Sequence, residues 1–133
     1  MHISFFYPNA VAVVGASRNP TSIGTRLLNA LIAAGFRGSV YPVNPKATAI
    51  GSLRAYPSVR DLPEAPDLAV IAVPRDAVLA VIDDCAARGV RVVIAITAGF
   101  SEIGPEGREQ QRQLVEKVRG HGMRMVGPRV NLS

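Results

Sequence analysis

The stretch VAVVGASRNPTSIG, Val11–Gly24, decides the fold of this chain. It opens with a continuous apolar run, Val11–Val14, which is typical of a parallel strand covered on both faces. Gly15 then permits a sharp turn and a close approach of the backbone to a ligand. From about Ser22 to Ala34 the apolar residues recur at helical spacing, and Gly35 ends the helix. A strand, a tight turn and a helix N-terminus in this order indicate a site for a phosphate group.

The same alternation of strand and helix continues along the chain. Further strands are predicted at Val40–Val43, Asp67–Val73, Val90–Thr97 and Met123–Val126, and further helices at Asp76–Arg88 and from Pro105 to about Gly120. The stretch 47–66 is rich in Pro and Gly and predicts a loop with at most one turn of helix. Strands joined through helices predict parallel strands with right-handed crossovers. We therefore expect one α/β domain over residues 1–133, a Rossmann-like doubly wound parallel sheet of about five strands in the order 3-2-1-4-5.

Composition bounds the function. No apolar run approaches the ~20 residues that a membrane helix needs, and the N-terminus lacks the features of a signal peptide. The single cysteine excludes an internal disulfide and favours a cytoplasmic location. The net charge is +5, but the basic residues form no runs and aromatic residues are scarce, which argues against nucleic-acid binding. A small anionic ligand and an ordinary solvated surface both fit this charge.

The turn after the first strand lies at the expected ligand site. In doubly wound sheets ligands bind beyond the carboxyl ends of the strands, where the strand order reverses, and here that point lies next to strand one. The dinucleotide fingerprint G-x-G-x-x-G is absent, because Val13 and Arg18 stand at its first and third glycine positions. Gly24 still allows close approach at the helix start. Asn19, Thr21 and Ser22 are candidates for its N-cap.

The residues at the end of strand two narrow the range of possible ligands. The segment PVNPK has no carboxylate for a ribose hydroxyl, and Lys46 stands in that region instead. A cation there favours a ribose that carries its own phosphate, as in NADP and coenzyme A. The alternative is an ordinary exposed loop lysine.

Four segments, taken together, resemble a known family: VAVVGASRNPTSIG, YPVNPK, YPSVRDLPEAPDLAVIAVP and ITAGFSE. They are similar in order and spacing to the CoA-binding domain of NDP-forming acyl-CoA synthetases, which include ADP-forming acetate–CoA ligases and succinyl-CoA synthetase alpha chains. The same domain heads some bacterial protein lysine acetyltransferases and occurs as small standalone CoA-binding proteins. The resemblance runs from about Phe6 to Pro128.

The resemblance implies a coenzyme A site made of four groups of residues. They are Gly15, Ala16, Ser17 and Arg18 with Ser22 and Ile23 for the phosphates; Val43, Asn44, Pro45 and Lys46 for the ribose and 3′-phosphate; Val73 and Pro74 for the adenine side; and Ile96, Thr97, Ala98 and Gly99 for the pantetheine path. Phosphate chemistry alone points to the first two groups. The other two are reached from the residues only as strand ends that face the same crevice.

The chain also departs from the family pattern. The family usually continues GPNC after the fifth strand, whereas here Gly127 and Pro128 are followed by Arg129–Ser133, whose role stays open. The synthetases' phosphorylated histidine and nucleotide-grasp domain have no counterpart. The resemblance thus implies a CoA-binding module of an acyl-CoA ligase alpha chain, not catalytic alone, with a ligase domain or nucleotide-grasp subunit as partner. A standalone regulatory or scaffold protein, or an NADP-binding reductase fragment, remains as an alternative.

The other potentially reactive side chains are predicted to have structural roles and no part in catalysis or metal binding. His2 and His121 have no neighbouring triad pattern, and Cys85 lies on the apolar stripe of its helix. Asp83 and Asp84 are adjacent, so they point in different directions on a helix and form no acid pair. No cluster has the spacing of a metal site.

Overall fold

The computed structural model of this chain describes residues 8–96 and 104–126. The strands are β1 (Ala10–Val14), β2 (Ser39–Val43), β3 (Ala49–Ile50), β4 (Leu53–Arg54), β5 (Leu68–Ile71), β6 (Val92–Ala95) and β7 (Arg124–Val126). The helices are α1 (Ile23–Ala33), α2 (Val78–Arg88) and α3 (Pro105–Gly120), and two 3₁₀ turns lie at Val59–Asp61 and Arg75–Ala77. Every strand and helix predicted from the periodicity therefore has its counterpart, with ends that differ by a few residues.

Five of the strands form one parallel sheet in the order β2-β1-β5-β6-β7. Strand β1 lies between β2 and β5, so that Val13 pairs with Pro42 on one side and with Val70 on the other. The predicted α/β class with a Rossmann-like parallel sheet is confirmed. The reversal of strand order falls beside β1, as expected, and this puts the turn after β1 at the crevice.

One strand takes a different position in the sheet from the one that its place in the sequence suggested. The third strand predicted from the sequence, now β5, lies beside β1, and the place outside β2 holds a single residue, Tyr56, in a parallel bridge with Val43. Tyr56 N donates to Pro42 O at 3.0 Å, and Asn44 N donates to Tyr56 O at 2.8 Å. With Tyr56 counted as the third position, the order reads 3-2-1-4-5-6, which is consistent with the expected 3-2-1-4-5 and adds β7 as a sixth position. Pro42 is tolerated because its ring nitrogen faces this sparsely paired edge.

The loop predicted for residues 47–66 is wrong in its first half. Strands β3 and β4 pair there as an antiparallel hairpin that turns at Gly51, whose φ is +62°. Strands of two residues are too short to show an alternating pattern, so only the Gly–Ser dipeptide at the turn signalled the hairpin. The predicted single turn of helix is the 3₁₀ turn Val59–Asp61.

Helices cover both faces of the sheet. On one face α2 and α3 bury Ile82, Cys85 and Leu114 against the sheet. On the other face α1 and the hairpin bury Leu28 and Ile50. Because the five strands are parallel, the turns that follow β1, β2 and β5 all lie at the same edge of the sheet. Within the described ranges, none of the helices has the length and apolarity that a bilayer crossing demands.

Candidate functional site

Gly15 makes the turn at the carboxyl end of β1. Its φ is +107°, and a Cβ on it would lie 2.1 Å from the carbonyl oxygen of Ala72, which follows β5. Its N–H donates to Val43 O at 3.1 Å. The turn therefore runs between the ends of β2 and β5, in a channel that only a glycine fits.

Gly24 brings helix α1 onto this turn. A Cβ on Gly24 would lie 2.6 Å from the carbonyl carbon of Gly15 and 2.7 Å from Ala16 N. The first turn of α1 thus packs directly on the backbone of the β1–α1 turn. Close helix–strand packing is the role of the third glycine in the dinucleotide fingerprint. The close approach predicted for Gly24 is confirmed, and it explains how the turn forms without that fingerprint.

A cluster of hydroxyl groups fixes the shape of the turn. Thr25 Oγ1 accepts from Ser17 N at 2.8 Å and from Ser22 Oγ at 2.7 Å, and donates to Ser17 O at 2.7 Å. Ser17 Oγ donates to Ser22 Oγ at 3.2 Å, and Ser22 Oγ accepts from Thr25 N at 3.3 Å. Ser22 is thus the N-cap of α1, whereas the Asn19 side chain accepts from Thr21 N and Oγ1. Thr25, 5% exposed, joins the helix to the turn, and the sequence did not predict this role.

Replacing Thr25 with valine tests this cluster. Thr25→Val keeps the shape of the side chain but leaves Ser17 N and O without partners in a half-buried site, so we expect a loss of about 3 kcal/mol in the free energy of unfolding. Thr25→Ser keeps the hydroxyl and removes one methyl group, so it should cost about 1 kcal/mol. Urea denaturation compares the two variants. Equal losses would show that the hydroxyl network contributes nothing beyond packing.

Cations and helix amides converge on the same edge. The N–H groups of Ile23 and Gly24 begin α1 and have no intrahelical acceptor. Arg18 and Lys46 are exposed. In the part of the chain that the structure describes, neither of these two side chains forms an ion pair. Free amides at a positive helix end, together with two unpaired cations, suit a ligand with more than one phosphate group.

The distribution of acidic residues adds to this potential. All ten Asp and Glu residues lie at position 61 or later, whereas residues 1–60 carry six cations: Arg18, Arg26, Arg37, Lys46, Arg54 and Arg60. The described part of this segment builds β1, α1, β2 and the hairpin. Carboxylates from later in the chain do contact this segment, at Asn9, Tyr41 and Arg60, but these contacts involve neither Arg18 nor Lys46. An acid-free segment around the β1–α1 turn favours the approach of an anion. The absence of acidic residues from the first 60 positions is visible in the sequence, but a prediction based on the basic residues alone missed it.

The other predicted site residues lie at the same edge where they are described. Val73 and Pro74 follow β5, and Val73 Cγ1 lies 3.4 Å from the position of a Cβ on Gly15. Ile96 follows β6, and its N–H donates to Ile71 O at 2.8 Å. Asn44, Pro45 and Lys46 follow β2. Thr97, Ala98 and Gly99 lie outside the described residues.

A cavity of about 410 Å³ opens beside Ser17 and Arg18, between α1 and the hairpin. It is lined by Ser17, Arg18, Pro20, Thr25, Leu28, Asn29, Ile32, Ile50, Gly51, Ser52 and Leu53. The hairpin residues of this wall were missed because the hairpin itself was not predicted. The cavity extends the crevice along the flank of α1.

The remaining reactive groups lie away from this edge or are inert. Burial raises the pKa of Cys85 to about 12, so the thiol stays protonated at neutral pH. Hydrogen bonds from Lys117 and His121 lower the pKa of Asp83 and tie α2 to α3. In the described ranges, no group of three or more His, Cys, Asp or Glu side chains is placed to hold a metal ion.

The model of a protein family described as a CoA binding domain matches residues 9–132. The chain belongs to this CoA-binding family. The family resemblance seen in the sequence is thereby confirmed, and coenzyme A is the ligand class of this CoA-binding domain.

Three relatives place this CoA-binding domain among known proteins. It is 42% identical to subunit alpha of acetate–CoA ligase [ADP-forming] I from Pyrococcus furiosus, over 96% of this chain and 28% of that one. A solved structure of a dinucleotide forming acetyl-coenzyme A synthetase 1 from Ca. Korarchaeum cryptofilum, in complex with phosphate and ADP, matches with a TM-score of 0.88 and 47% identity, over 94% and 26% of the two chains. A conserved hypothetical protein from Pyrococcus furiosus matches with a TM-score of 0.68 and 32% identity, over 90% and 94%.

The fraction of each relative's length that the CoA-binding domain covers differs sharply between these relatives. The CoA-binding domain spans 17% to 28% of the acetate–CoA ligases that it matches. It spans nearly the whole of the hypothetical protein. The domain therefore occurs both in long ligase chains and in a chain of about this size.

Proposed function

We propose that this domain holds coenzyme A with its diphosphate at the start of α1 and its 3′-phosphate beside Lys46. The observation that carries the proposal is the Gly15 turn, which packs on the backbone of Ala72 and leads to the free N–H groups at the start of α1, with the exposed cations Arg18 and Lys46 on the segments beside it. These residues fit the cofactor, because coenzyme A carries phosphate groups at both ends of its ribose. Ser17, Ser22 and Ile23 would lie against the diphosphate. Val73, Pro74 and Ile96 would border the adenine and pantetheine parts.

The relatives extend the proposal to a reaction. The chain serves as the CoA-binding part of an ADP-forming acyl-CoA ligase, and other domains or subunits supply the nucleotide chemistry. Support comes from the activities of the acetate–CoA ligase relatives and from the share of their length that this chain spans. Within this proposal residues 1–133 form one domain that works in the cytoplasm, with no reaction of its own. The acyl group is chosen outside it.

The contact between Lys46 and the 3′-phosphate can be tested with dephospho-CoA, which lacks that phosphate. We expect Lys46→Ala to weaken coenzyme A binding about 10-fold, the loss of one charge-assisted hydrogen bond, and to change dephospho-CoA binding less than about 2-fold. Isothermal titration calorimetry measures both affinities. Arg37→Ala is the control, because Arg37 is an exposed cation of the same acid-free segment, residues 1–60, but precedes β2 at the opposite edge. If Lys46→Ala weakens both ligands equally, Lys46 does not bind the 3′-phosphate.

A second candidate function is a standalone CoA-binding regulatory or scaffold protein. The relative of nearly the same length favours it. Copurification with a nucleotide-grasp subunit, with and without coenzyme A, separates the two functions: a ligase component binds such a subunit, and a standalone binder does not.

The NADP-binding reductase alternative is tested by adding NADP to the calorimetric series. NADP binding comparable to that of coenzyme A would revive this alternative.

A further inference from the structure

Asn44 connects the two segments that surround the proposed phosphate site. Its Nδ2 donates to Ala16 O at 2.9 Å, across 28 residues of sequence. Its Oδ1 accepts from Lys46 N at 2.7 Å and from Ala47 N at 3.0 Å. The family resemblance implies that Asn44 borders the ribose, but its side chain is engaged within the protein. We propose that Asn44 is a positioning residue: it acts through the β1–α1 turn and through Lys46, and does not itself contact the ligand. This inference rests on the proposed function.

The bond to Ala16 removes an unfavourable acceptor from the anion site. Ala16 is fully buried and Asn44 is half-buried, so the amide of Asn44 covers the carbonyl oxygen of Ala16 as well as bonding to it. An unbonded carbonyl oxygen in a turn that binds phosphate would repel the ligand and leave a buried polar atom unsatisfied. The amide of Asn44 satisfies that oxygen. It thereby keeps one acceptor of the turn bonded inside the protein.

The bonds from Lys46 N and Ala47 N shape the second segment. A side-chain oxygen that accepts from the amide two residues on makes an Asx turn, which mimics a backbone turn and fixes the intervening residues. Asn44 itself is anchored, because its own N–H donates to Tyr56 O at 2.8 Å at the sheet edge. The backbone of Lys46 thus starts from a fixed point. Fixing that point lowers the entropy that the lysine loses when it binds a phosphate.

Two substitutions separate the two halves of this connection. Asn44→Ala removes all three bonds. Asn44→Asp keeps oxygens that accept from Lys46 N and Ala47 N, but replaces the amide on Ala16 O with a second oxygen and adds a negative charge. Asn9→Ala is the matched control, since Asn9 is an exposed asparagine at the opposite end of β1.

The test combines binding with a measurement that needs no ligand. Calorimetry with coenzyme A and dephospho-CoA is run on the wild type, Asn44→Ala, Lys46→Ala and the double variant. We expect Asn44→Ala to weaken coenzyme A binding about 10-fold, with less effect in the Lys46→Ala background, because part of its effect passes through Lys46. In the ligand-free protein, hydrogen exchange of the Lys46 and Ala47 amides should accelerate in Asn44→Ala and not in Asn44→Asp.

The outcomes are distinguishable. If Asn44→Ala binds coenzyme A like the wild type, or weakens it equally in both Lys46 backgrounds, the positioning of Lys46 is overturned. If exchange at Lys46 and Ala47 is unchanged in Asn44→Ala, the Asx turn is overturned as well. If the wild type itself fails to bind coenzyme A, the proposed function falls, and the exchange data alone decide whether Asn44 holds the two segments together.

Discussion

Gly15→Ala should lower the free energy of unfolding by about 4 kcal/mol, a large share of what a domain of this size has. Two costs add. A φ of +107° is strained for any residue with a Cβ, and such strain is worth about 1–3 kcal/mol. The new Cβ would also lie 2.1 Å from Ala72 O, a backbone atom that has little room to move, because Ala72 N donates to Val14 O at 2.8 Å. The β1–α1 turn and the end of β5 must separate.

Thermal and urea unfolding measure this loss, with an expected fall in Tm of about 10 °C. Gly51→Ala is the matched control. Gly51 also has a positive φ, +62°, but a Cβ there would meet nothing within 4 Å. It should therefore cost only the backbone strain, about 1 kcal/mol. Similar losses for the two variants would contradict the close packing of Gly15 against Ala72.

Gly15 and Thr25 show which parts of the site can be predicted from the sequence and which cannot. Gly15 follows an apolar run and precedes a helical pattern, so its role in the turn is a local feature and was predicted. Thr25 reads as one more residue of a helix. Its part in the turn depends on the angle at which α1 meets Ser17, eight residues earlier, and no short-range pattern encodes that angle.

The same reasoning explains the fold. Periodicity predicts each strand and helix because burial repeats with the geometry of the element. Which strand lies beside which depends on contacts between distant segments, and here on the bridge between Tyr56 and Val43. The β3–β4 hairpin escaped prediction because its strands have two residues each. The wall that it adds to the crevice was missed with it.

Gly24→Ala should destabilise the protein, although a glycine-to-alanine change inside a helix ordinarily stabilises it by about 0.5–1 kcal/mol. The ordinary gain is outweighed because the new Cβ would lie 2.6–2.7 Å from the backbone of Gly15 and Ala16. Both neighbours are backbone atoms of a tight turn, so α1 itself must shift. We expect a net loss of about 3 kcal/mol. Coenzyme A binding should weaken as well, because the helix start moves away from the turn.

Gly120→Ala is the control for Gly24→Ala, because its effect on the free energy of unfolding should have the opposite sign. Gly120 is the last residue of α3, and a Cβ there would meet nothing within 4 Å. This variant should be neutral or stabilise the protein by up to about 1 kcal/mol, since it gains only helix propensity. Urea denaturation of both variants decides the matter. Stabilisation by both would mean that α1 is free to retreat from the turn, and its N-terminus would then not be held where the phosphate groups of coenzyme A need it.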